Sequence, residues 1–195
     1  MYLLKIAVIG PSRSGKTSII RRLYNNRFPH DSEISSTIGL DVMPVVEKYK
    51  DQWVKFQIWD TAGQERFRSI IPSIFKKCNL VILVVDLTCV SELDLYYQWK
   101  FICDNIDFLH PYSKILLVGN KSDIGEDGNE ICIKFSKDKK IPYIKISAKK
   151  SSELRSKLLL DHITEIIENI SNDNLEPIIL NNSKTKKTIN YFKKC

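Results

Sequence analysis

The sequence has none of the features that place a chain across a membrane or around a zinc ion. Its longest apolar run, LVILVV at 80–85, is far shorter than the roughly 20 residues that span a bilayer as a helix. Its five cysteines include no C-x-x-C pair, which argues against a zinc site and fits a reducing compartment. The apolar start of the chain is interrupted by Lys5 and leads into a glycine turn, so it predicts a buried strand and not a signal peptide.

The chain also lacks a dense stripe of basic residues, although its net charge is +7, with 30 Lys and Arg against 23 Asp and Glu. Residues 171–195 hold five lysines and two acidic residues, a net +3, which leaves only +4 for the rest of the chain. Such a charge favours an acidic partner, such as a nucleotide or an anionic membrane. Because the body of the chain carries so little of the excess, the sequence predicts no nucleic-acid partner.

Short apolar runs alternate with helical repeats along most of the chain. Five runs predict strands, at 5–10, 54–59, 80–86, 114–119 and 143–147. Three of these runs are almost wholly apolar, which is typical of parallel strands that are covered on both faces. Apolar residues at helical spacing predict helices between the strands, over 16–26 and 95–106, and a long helix after the last strand, over 154–170.

Together these patterns predict an α/β domain at 1–170 followed by a flexible basic tail at 171–195. A hairpin around Asp51 and Gln52 adds one antiparallel strand to the others. We therefore expect a mostly parallel six-stranded sheet with helices on both faces. The polar composition after Ile170, with Pro177, predicts a linker and not a further helix.

The first glycine turn has the composition of a phosphate-binding loop. The stretch GPSRSGKT at 10–17 matches the pattern G-x-x-x-x-G-K-[ST] and stands between a predicted strand and a predicted helix. Its glycines let several N–H groups point at one anion, and the helix adds its N-terminal dipole. We expect Lys16 to reach the β- and γ-phosphates and Thr17 to bind Mg²⁺. The predicted phosphate-binding residues are Ser12, Arg13, Ser14, Gly15, Lys16, Thr17 and Ser18.

Two later stretches predict that the bound base is guanine. VGNKSD at 118–123 follows an apolar strand, so its side chains emerge where open α/β sheets bind ligands. The Asp123 carboxylate can accept hydrogen bonds from N1–H and the 2-amino group of guanine, a pair of donors that adenine lacks. Asn120 would brace this loop, and Lys121 would lie along the base. SAK at 147–149 would add the Ala148 N–H, so that Ser147, Ala148 and Lys149 complete the base site.

A third stretch, WDTAGQERFRS at 59–69, carries residues suited to phosphoryl transfer. Asp60 can hold Mg²⁺ through water, and the Gly63 N–H can meet the γ-phosphate. Gln64 can orient the attacking water, because transfer to water depends mainly on positioning. We expect Gln64 and Lys16 to be catalytic.

These motifs, in this order, resemble those of the Ras-like small GTPases. TIGLD and KFQIWDTAGQERFRS resemble the Rab family in particular, and RSIIPS at 68–73 resembles its Golgi-transport branch. The resemblance implies the small G domain of the P-loop NTPases, in which GTP holds two loops in place and slow hydrolysis to GDP releases them. It also implies that Thr37 binds Mg²⁺ and the γ-phosphate and takes part in catalysis, and that Phe28 packs against guanine. The implied partners are an exchange factor, a GTPase-activating protein, a GDP-dissociation inhibitor and effectors.

The chain departs from that family at three places. The segment from Phe28 to Thr37 is longer than usual and lacks its usual aromatic residue. Val42 stands where Phe normally follows TIGLD. Rab partners often read an aromatic triad, of which Trp59 is present, while the other two places fall near Val42 and near Ile74 or Phe75. Arg13 replaces a smaller residue in the phosphate loop, which raises the hypothesis that its guanidinium supplies part of an arginine-finger charge from within the chain.

The carboxyl end predicts attachment to a membrane. A prenyl group on Cys195 would anchor weakly alone, and the nearby lysines can contribute about 1 kcal/mol each at an anionic surface. We expect the chain to cycle between the cytosol and the cytoplasmic face of an intracellular membrane, and the resemblance of RSIIPS favours the Golgi. The lone terminal cysteine matches neither a double-cysteine nor a C-a-a-X ending, so an unmodified Cys195 is the alternative.

Other functions remain open on the sequence alone. A GTP-binding module that recruits effectors with little intrinsic hydrolysis would follow from the altered segment before Thr37. An ATPase or small-molecule kinase would share the phosphate loop, although Asp123 argues against it. A nucleic-acid-binding role for the tail would show a steep dependence on salt.

Overall fold

The structure is a computed structural model that describes residues 1–29, 40–61, 71–151, 154, 156–162 and 166–168. The predictions for Thr37, Gly63, Gln64 and Cys195 lie outside these residues, as do the first three residues of RSIIPS and the whole tail. No helix among the described residues is both long and apolar enough to cross a bilayer.

The described chain forms a six-stranded sheet with helices in the connections. The strands are β1 Tyr2–Ile9, β2 Leu40–Tyr49, β3 Gln52–Thr61, β4 Leu80–Asp86, β5 Lys114–Asn120 and β6 Tyr143–Lys145. The helices are α1 Lys16–Asn25, α2 Ile71–Phe75, α3 Glu92–Asp104 and α4 Asn129–Lys139, with a 3₁₀ turn at Ile106–Phe108. A π-helical turn at Ser156–Leu160 and helical residues at 161–162 and 166–168 make up what we call the C-terminal helix.

The strand order is β2-β3-β1-β4-β5-β6. The pair β2 and β3 is antiparallel, and every other neighbouring pair is parallel. The prediction of a mostly parallel six-stranded sheet with one antiparallel strand is therefore confirmed. The sequence placed the end of β6 at 147, two residues beyond its observed end at Lys145. The chain after Lys145 instead turns to present a loop at the edge of the sheet.

Both faces of the central strands are buried, which explains their continuous apolar runs. In β1, Leu4, Ile6 and Val8 pack towards α1 and the C-terminal helix. Ala7 and Ile9 pack on the opposite face with side chains of α2, α3 and α4. The described residues cover the β2–β3 hairpin on only one face, and its outward positions are exposed or partly exposed.

Helix α3 begins where the sequence provides a capping box. The Ser91 hydroxyl accepts from the Asp94 N–H at 3.2 Å, and the Asp94 carboxylate accepts from the Ser91 N–H at 3.0 Å. Two backbone donors that a helix start leaves unsatisfied are thereby paired. The cap fixes the start of α3 just after the β4 edge, where the functional side chains gather.

Candidate functional site

The described residues of the candidate site gather at the carboxyl ends of the parallel strands. The phosphate loop follows β1, Asp60 stands near the end of β3, Asp86 ends β4, and Asn120 ends β5. The loop with Ser147 follows β6. β1 lies at the centre of this edge, where the strand order changes direction, and open α/β sheets bind ligands at such a switch point.

The phosphate loop needs glycine at two positions. Gly10 has φ +141° and Gly15 has φ +92°, conformations that residues with a Cβ rarely adopt. A Cβ at Gly10 would overlap the Val84 carbonyl oxygen, and a Cβ at Gly15 would overlap the Asn120 amide nitrogen. α1 begins at Lys16 immediately after the loop, so its unpaired N–H groups and the positive end of its dipole face the loop.

Lys16 is a buried cation held over the loop. Its Nζ donates to the carbonyl oxygens of Gly10 at 3.0 Å and Pro11 at 2.8 Å. Burial lowers the pKa of Lys16 to about 8, and the Asp60 carboxylate partly opposes that shift. Both Lys16 contacts are to uncharged carbonyls, so an anion at this place would restore the charge balance that burial disturbs.

Two other loop residues are unusual. Arg13 has φ +65°, which costs a residue with a Cβ about 1 kcal/mol, and its side chain is exposed. The Ser14 hydroxyl is buried and has no hydrogen-bond partner among the described residues. An unpaired buried hydroxyl beside a loop of N–H groups fits the acceptor oxygens of a phosphate. Ser12 is exposed, and Ser18 is half-buried in the first turn of α1.

The two predicted metal-binding side chains that the structure describes lie together. The Thr17 hydroxyl donates to Asp60 Oδ2 at 2.6 Å, and Asp60 is only 1% exposed. A hydroxyl and a carboxylate are hard oxygen donors of the kind that Mg²⁺ prefers beside phosphates. The residues present therefore fit Mg²⁺, with Thr37 outside the described chain.

Asn120 connects the phosphate loop to the loop after β6. Its Nδ2 donates to the Ser14 carbonyl at 2.9 Å, and its Oδ1 accepts from the Ala148 N–H at 3.0 Å. Asn120 is 1% exposed, so both bonds are made away from water. The sequence predicted this bracing role for Asn120. It also predicted that the Ala148 N–H meets guanine, but in this structure that N–H donates to Asn120.

Asp123 is oriented by the loop after β6. Its Oδ1 accepts from the Ser147 hydroxyl at 2.5 Å. Ser147 is fixed in turn, because its Oγ accepts from the Lys150 N–H at 3.0 Å and its N–H donates to Ser151 Oγ at 3.1 Å. The two predicted base-binding motifs therefore lie side by side, while Lys149 is exposed. One oxygen of the carboxylate is engaged by Ser147, which sets the direction of the other.

Sequence reasoning missed Asp86, which holds Lys121. The Lys121 ammonium lies 2.6 Å from Asp86 Oδ2, and Oδ1 accepts from the Thr88 N–H at 3.0 Å and hydroxyl at 2.8 Å. Burial alone would raise the pKa of Asp86, but the hydrogen bonds from Lys121 and Thr88 outweigh it and lower the pKa. The sequence feature that could have identified Asp86 is its place at the end of an apolar strand, at the edge of the sheet where ligands bind.

The remaining predicted residues are distributed around this edge. Phe28 is half-buried and packs against the core on the α1 side. Trp59 pairs with Val42 across the hairpin, and the Lys5 ammonium lies 4.3 Å from the centre of its ring. Ile74 and Phe75 are both buried. The suggested third place of an aromatic surface triad is therefore not available at the surface in this structure.

This arrangement defines a nucleotide-binding protein of the P-loop class, with a second loop suited to guanine. A family model described as the Ras family matches residues 5–170, so the chain belongs to the Ras family. It is 36% identical over 171 residues to human "Ras-related protein Rab-30", an alignment covering 85% of this chain and 81% of that protein. It is 38% identical over 155 residues to "Ras-related protein Rab-1C" of Dictyostelium discoideum, covering 78% and 75%.

A third relative is "GTP-binding protein YPTM1" of Zea mays, which is 35% identical over 162 residues, covering 81% of this chain and 76% of that protein. The predicted resemblance to the Rab family is confirmed. The chain is a small GTPase, a switch of the kind that acts in membrane traffic, and it binds GTP and GDP. Regulators, effectors and an association with membranes belong to that function.

Proposed function

We propose that the guanine nucleotide lies along the carboxyl edge of the sheet, with its phosphates on residues 12–18 and its base between Asp123 and the loop at 147–149. The observation that carries this proposal is the pair of hydrogen bonds from Asn120, to Ser14 and Ala148. They hold the phosphate site and the base site at a fixed separation. A ligand that engages both sites therefore does so without ordering either loop first.

Each described residue then has a role that its contacts support. Asp123, turned by Ser147, selects guanine by accepting from its paired donors. Lys16 exchanges its carbonyl acceptors for the β- and γ-phosphates, with which it forms stronger charge-assisted hydrogen bonds. The Asp86–Lys121 ion pair keeps Lys121 beside the base. Phe28 would pack against the base from the α1 side.

Thr17 and Asp60 would hold Mg²⁺ at their shared position, together with Thr37. When bound, the ion supplies positive charge to the β- and γ-phosphate oxygens. The Gly63 N–H would contact the γ-phosphate, and Gln64 would orient the water that attacks it. The bond from phosphorus to the β,γ-bridging oxygen breaks, GDP leaves, and the protons of the water pass to phosphate and solvent.

Nucleotide competition tests this assignment. Purified chain loaded with a fluorescent GDP is titrated with unlabelled GTP, GDP and ATP in the presence and absence of Mg²⁺. We expect GTP and GDP to displace the probe at concentrations at least 10³-fold below ATP, because adenine leaves the Asp123 carboxylate unpaired. Equal displacement by ATP would overturn the base assignment while leaving the phosphate loop in place.

The contribution of Arg13 to the rate of GTP hydrolysis needs a separate test. Its guanidinium is exposed at the phosphate loop, in a backbone conformation that costs energy to keep. We propose that it approaches the γ-phosphate and supplies part of the charge that an activating partner otherwise provides. A complete arginine finger accelerates hydrolysis by about 10³–10⁵, so a partial one should be visible in single turnovers. An Arg13→Ala chain that hydrolyses GTP at the unaltered rate would exclude the idea.

We propose further that 1–170 is the GTP-binding domain and 171–195 a tether that attaches it to a membrane through a prenyl group on Cys195. A single prenyl group anchors a protein only weakly to a membrane. The five tail lysines would strengthen the attachment by binding an anionic cytoplasmic surface. Recognition by an exchange factor, a GTPase-activating protein and a GDP-dissociation inhibitor would then move the switch between that membrane and the cytosol.

Mass spectrometry of the protein from its native cells tests the anchor, with Cys195→Ser as the control. An unmodified Cys195 would remove the lipid from the proposal. A Golgi address rests on RSIIPS alone, and microscopy of the tagged chain with its natural carboxyl end would decide it. Co-localisation with another compartment would reject the Golgi and leave the GTPase unaffected.

A further inference from the structure

The outward face of the β2–β3 hairpin extends beyond Val42 and Trp59, the two triad positions, to residues for which the GTPase function gives no role. The pairing register places eight side chains on this face, four from each strand: Val42, Pro44, Val46, Lys48, Trp53, Lys55, Gln57 and Trp59. Five are apolar, two are lysines, and none is acidic. The acidic residues of the two strands, Asp41, Glu47 and Asp60, occupy the alternate positions. We call these eight side chains the outer hairpin face.

The distal half of the outer hairpin face lies away from the nucleotide edge. Trp53 is opposite Lys48, and Val46 is opposite Lys55. Trp53 is 55% exposed and Val46 is 51% exposed, although tryptophan usually buries most of its large surface. Trp59 marks the other end of the face, six residues along β3, or about 20 Å at the rise of a strand.

The end of the described chain lies beside the turn of the same hairpin, although the C-terminal helix itself packs on the inner face of the hairpin. Lys50, in the turn between β2 and β3, has its Nζ 3.3 Å from Oε1 of Glu168 in the C-terminal helix. The 27 residues from 169 to 195 therefore start next to the hairpin turn. A flexible chain of that length has a root-mean-square span of about 30 Å. A surface that holds Cys195 is therefore within reach of Trp53.

We propose that the distal half of the outer hairpin face, Trp53 and Val46 with Lys48 and Lys55, is a second membrane contact that lies against an anionic lipid surface. Tryptophan beside lysines is the combination that proteins place at the headgroup boundary, where the ring enters the acyl edge and the ammonium groups meet lipid phosphates and carboxylates. The inference rests on the proposed attachment of the tail. It adds an orientation, because the hairpin and the tail would face the same bilayer.

Vesicle binding tests the contact without any partner protein. The full chain, loaded with GDP, is mixed with phosphatidylcholine vesicles containing about 30% phosphatidylserine, and sedimentation gives its affinity. The matched control is Tyr97→Ala, because Tyr97 is an equally exposed aromatic residue, at 57%, on α3. We expect Trp53→Ala to weaken binding roughly tenfold and Tyr97→Ala to leave it within about twofold. Lys48→Glu with Lys55→Glu should weaken binding at low salt and less at high salt.

Brominated lipids give the second measurement, since bromine quenches tryptophan fluorescence only at close range. We expect quenching in the wild-type chain and its loss in Trp53→Phe, with nucleotide affinity unchanged in every variant as proof of folding. A chain that binds vesicles through 171–195 but shows no quenching, with Trp53→Ala binding normally, would overturn the contact and leave tail attachment standing. Absence of any binding by the full chain would overturn it as well.

Two further measurements exclude other occupants of the face. If deletion of 171–195 changes Trp53 emission in the absence of vesicles, the tail itself covers Trp53, and the lipid proposal fails. If Trp53→Ala converts a dimer in solution into a monomer, the occupant is a second copy of this chain, and the proposal fails likewise. An unchanged spectrum and a monomer before and after substitution support the lipid surface.

Discussion

The nucleotide edge and the outer hairpin face belong to the same sheet, but their side chains are held in place to very different degrees. At the nucleotide edge, Asn120 and Ser147 each make hydrogen bonds to more than one segment, and Asn120 is almost fully buried. On the hairpin face, Trp53 and Val46 are half exposed. A substitution at the first place leaves buried groups unpaired. A substitution at the second should change binding to a surface and hardly change folding.

Removing the Asn120 amide should give the largest effect of this comparison. Asn120→Ala leaves the Ser14 carbonyl and the Ala148 N–H without their partner, at a cost of about 1–3 kcal/mol each in the free energy of unfolding. We expect GDP affinity to fall at least 100-fold, because the two halves of the site lose their fixed separation. Urea unfolding and nucleotide titration measure the two effects. Asn105→Ala, which removes a hydrogen bond to Phe101 outside the site, should destabilise without changing GDP affinity.

Changing the base-reading carboxylate should alter specificity more than stability. Asp123→Asn places an amide donor where guanine also presents donors, but xanthine offers an oxygen at position 2. We expect GTP affinity to fall about 100-fold and affinity for xanthosine triphosphate to rise. Competition against fluorescent GDP and its xanthine analogue measures both. An unaltered preference for guanine in Asp123→Asn would show that the selective contact lies elsewhere, and Asp127→Asn, at an exposed site, is the control.

The lowered pKa of Lys16 predicts how binding and stability depend on pH. With a folded-state pKa of about 8 and an ordinary value of 10.5, the unfolded chain binds more protons between these limits. The nucleotide-free chain should therefore gain stability as pH rises from about 8 to about 10.5. Nucleotide affinity should fall over the same range, by at most about tenfold per pH unit, since phosphate needs the charged form. A flat affinity profile from pH 7.5 to 9.5 would contradict the burial of Lys16.

A small gain in stability is expected at Arg13, where backbone strain can be relieved. Arg13→Gly should raise the free energy of unfolding by about 1 kcal/mol, because glycine adopts φ +65° without a steric cost. The gain is reduced by the greater freedom of glycine in the unfolded chain. Thermal unfolding of the nucleotide-free chain measures it. Arg13→Ala, which keeps a Cβ, should show no such gain, and equal stabilisation by both variants would mean that the side chain and not the backbone is responsible.

On the outer hairpin face we expect the opposite pattern, in which a substitution changes binding to a surface and not the nucleotide site. Trp53→Ala should leave GDP affinity and the free energy of unfolding nearly unaltered while it weakens vesicle binding. Loss of stability by more than about 1 kcal/mol would show that Trp53 packs within the fold and would remove the contrast between the two regions.

Much of the site was predictable because its motifs act locally. The strand, the glycine turn and Lys16 are adjacent in the chain, and the strain of the turn is relieved by glycine at Gly10 and Gly15. Asn120 was expected to brace its loop, and the structure gives the bonds. Asp86 was missed, because its partner Lys121 is 35 positions away and a strand-ending aspartate has no partner that sequence spacing could identify. The sequence placed the end of β6 too late, because the buried residues Ile146 and Ala148 continue the apolar pattern beyond Lys145. In the structure these two residues belong to the loop that carries Ser147.

The sequence by itself determined the class of protein, the alternation of strands and helices, and the residue types of the phosphate loop and base loop. These depend on neighbours within a few residues, and a local backbone conformation follows from local composition. Only the tertiary structure decided which side chains meet across the sheet edge, which face of the hairpin stays uncovered, and that Lys50 lies beside Glu168. Those outcomes depend on strand order and register, which bring together residues that are far apart in the chain.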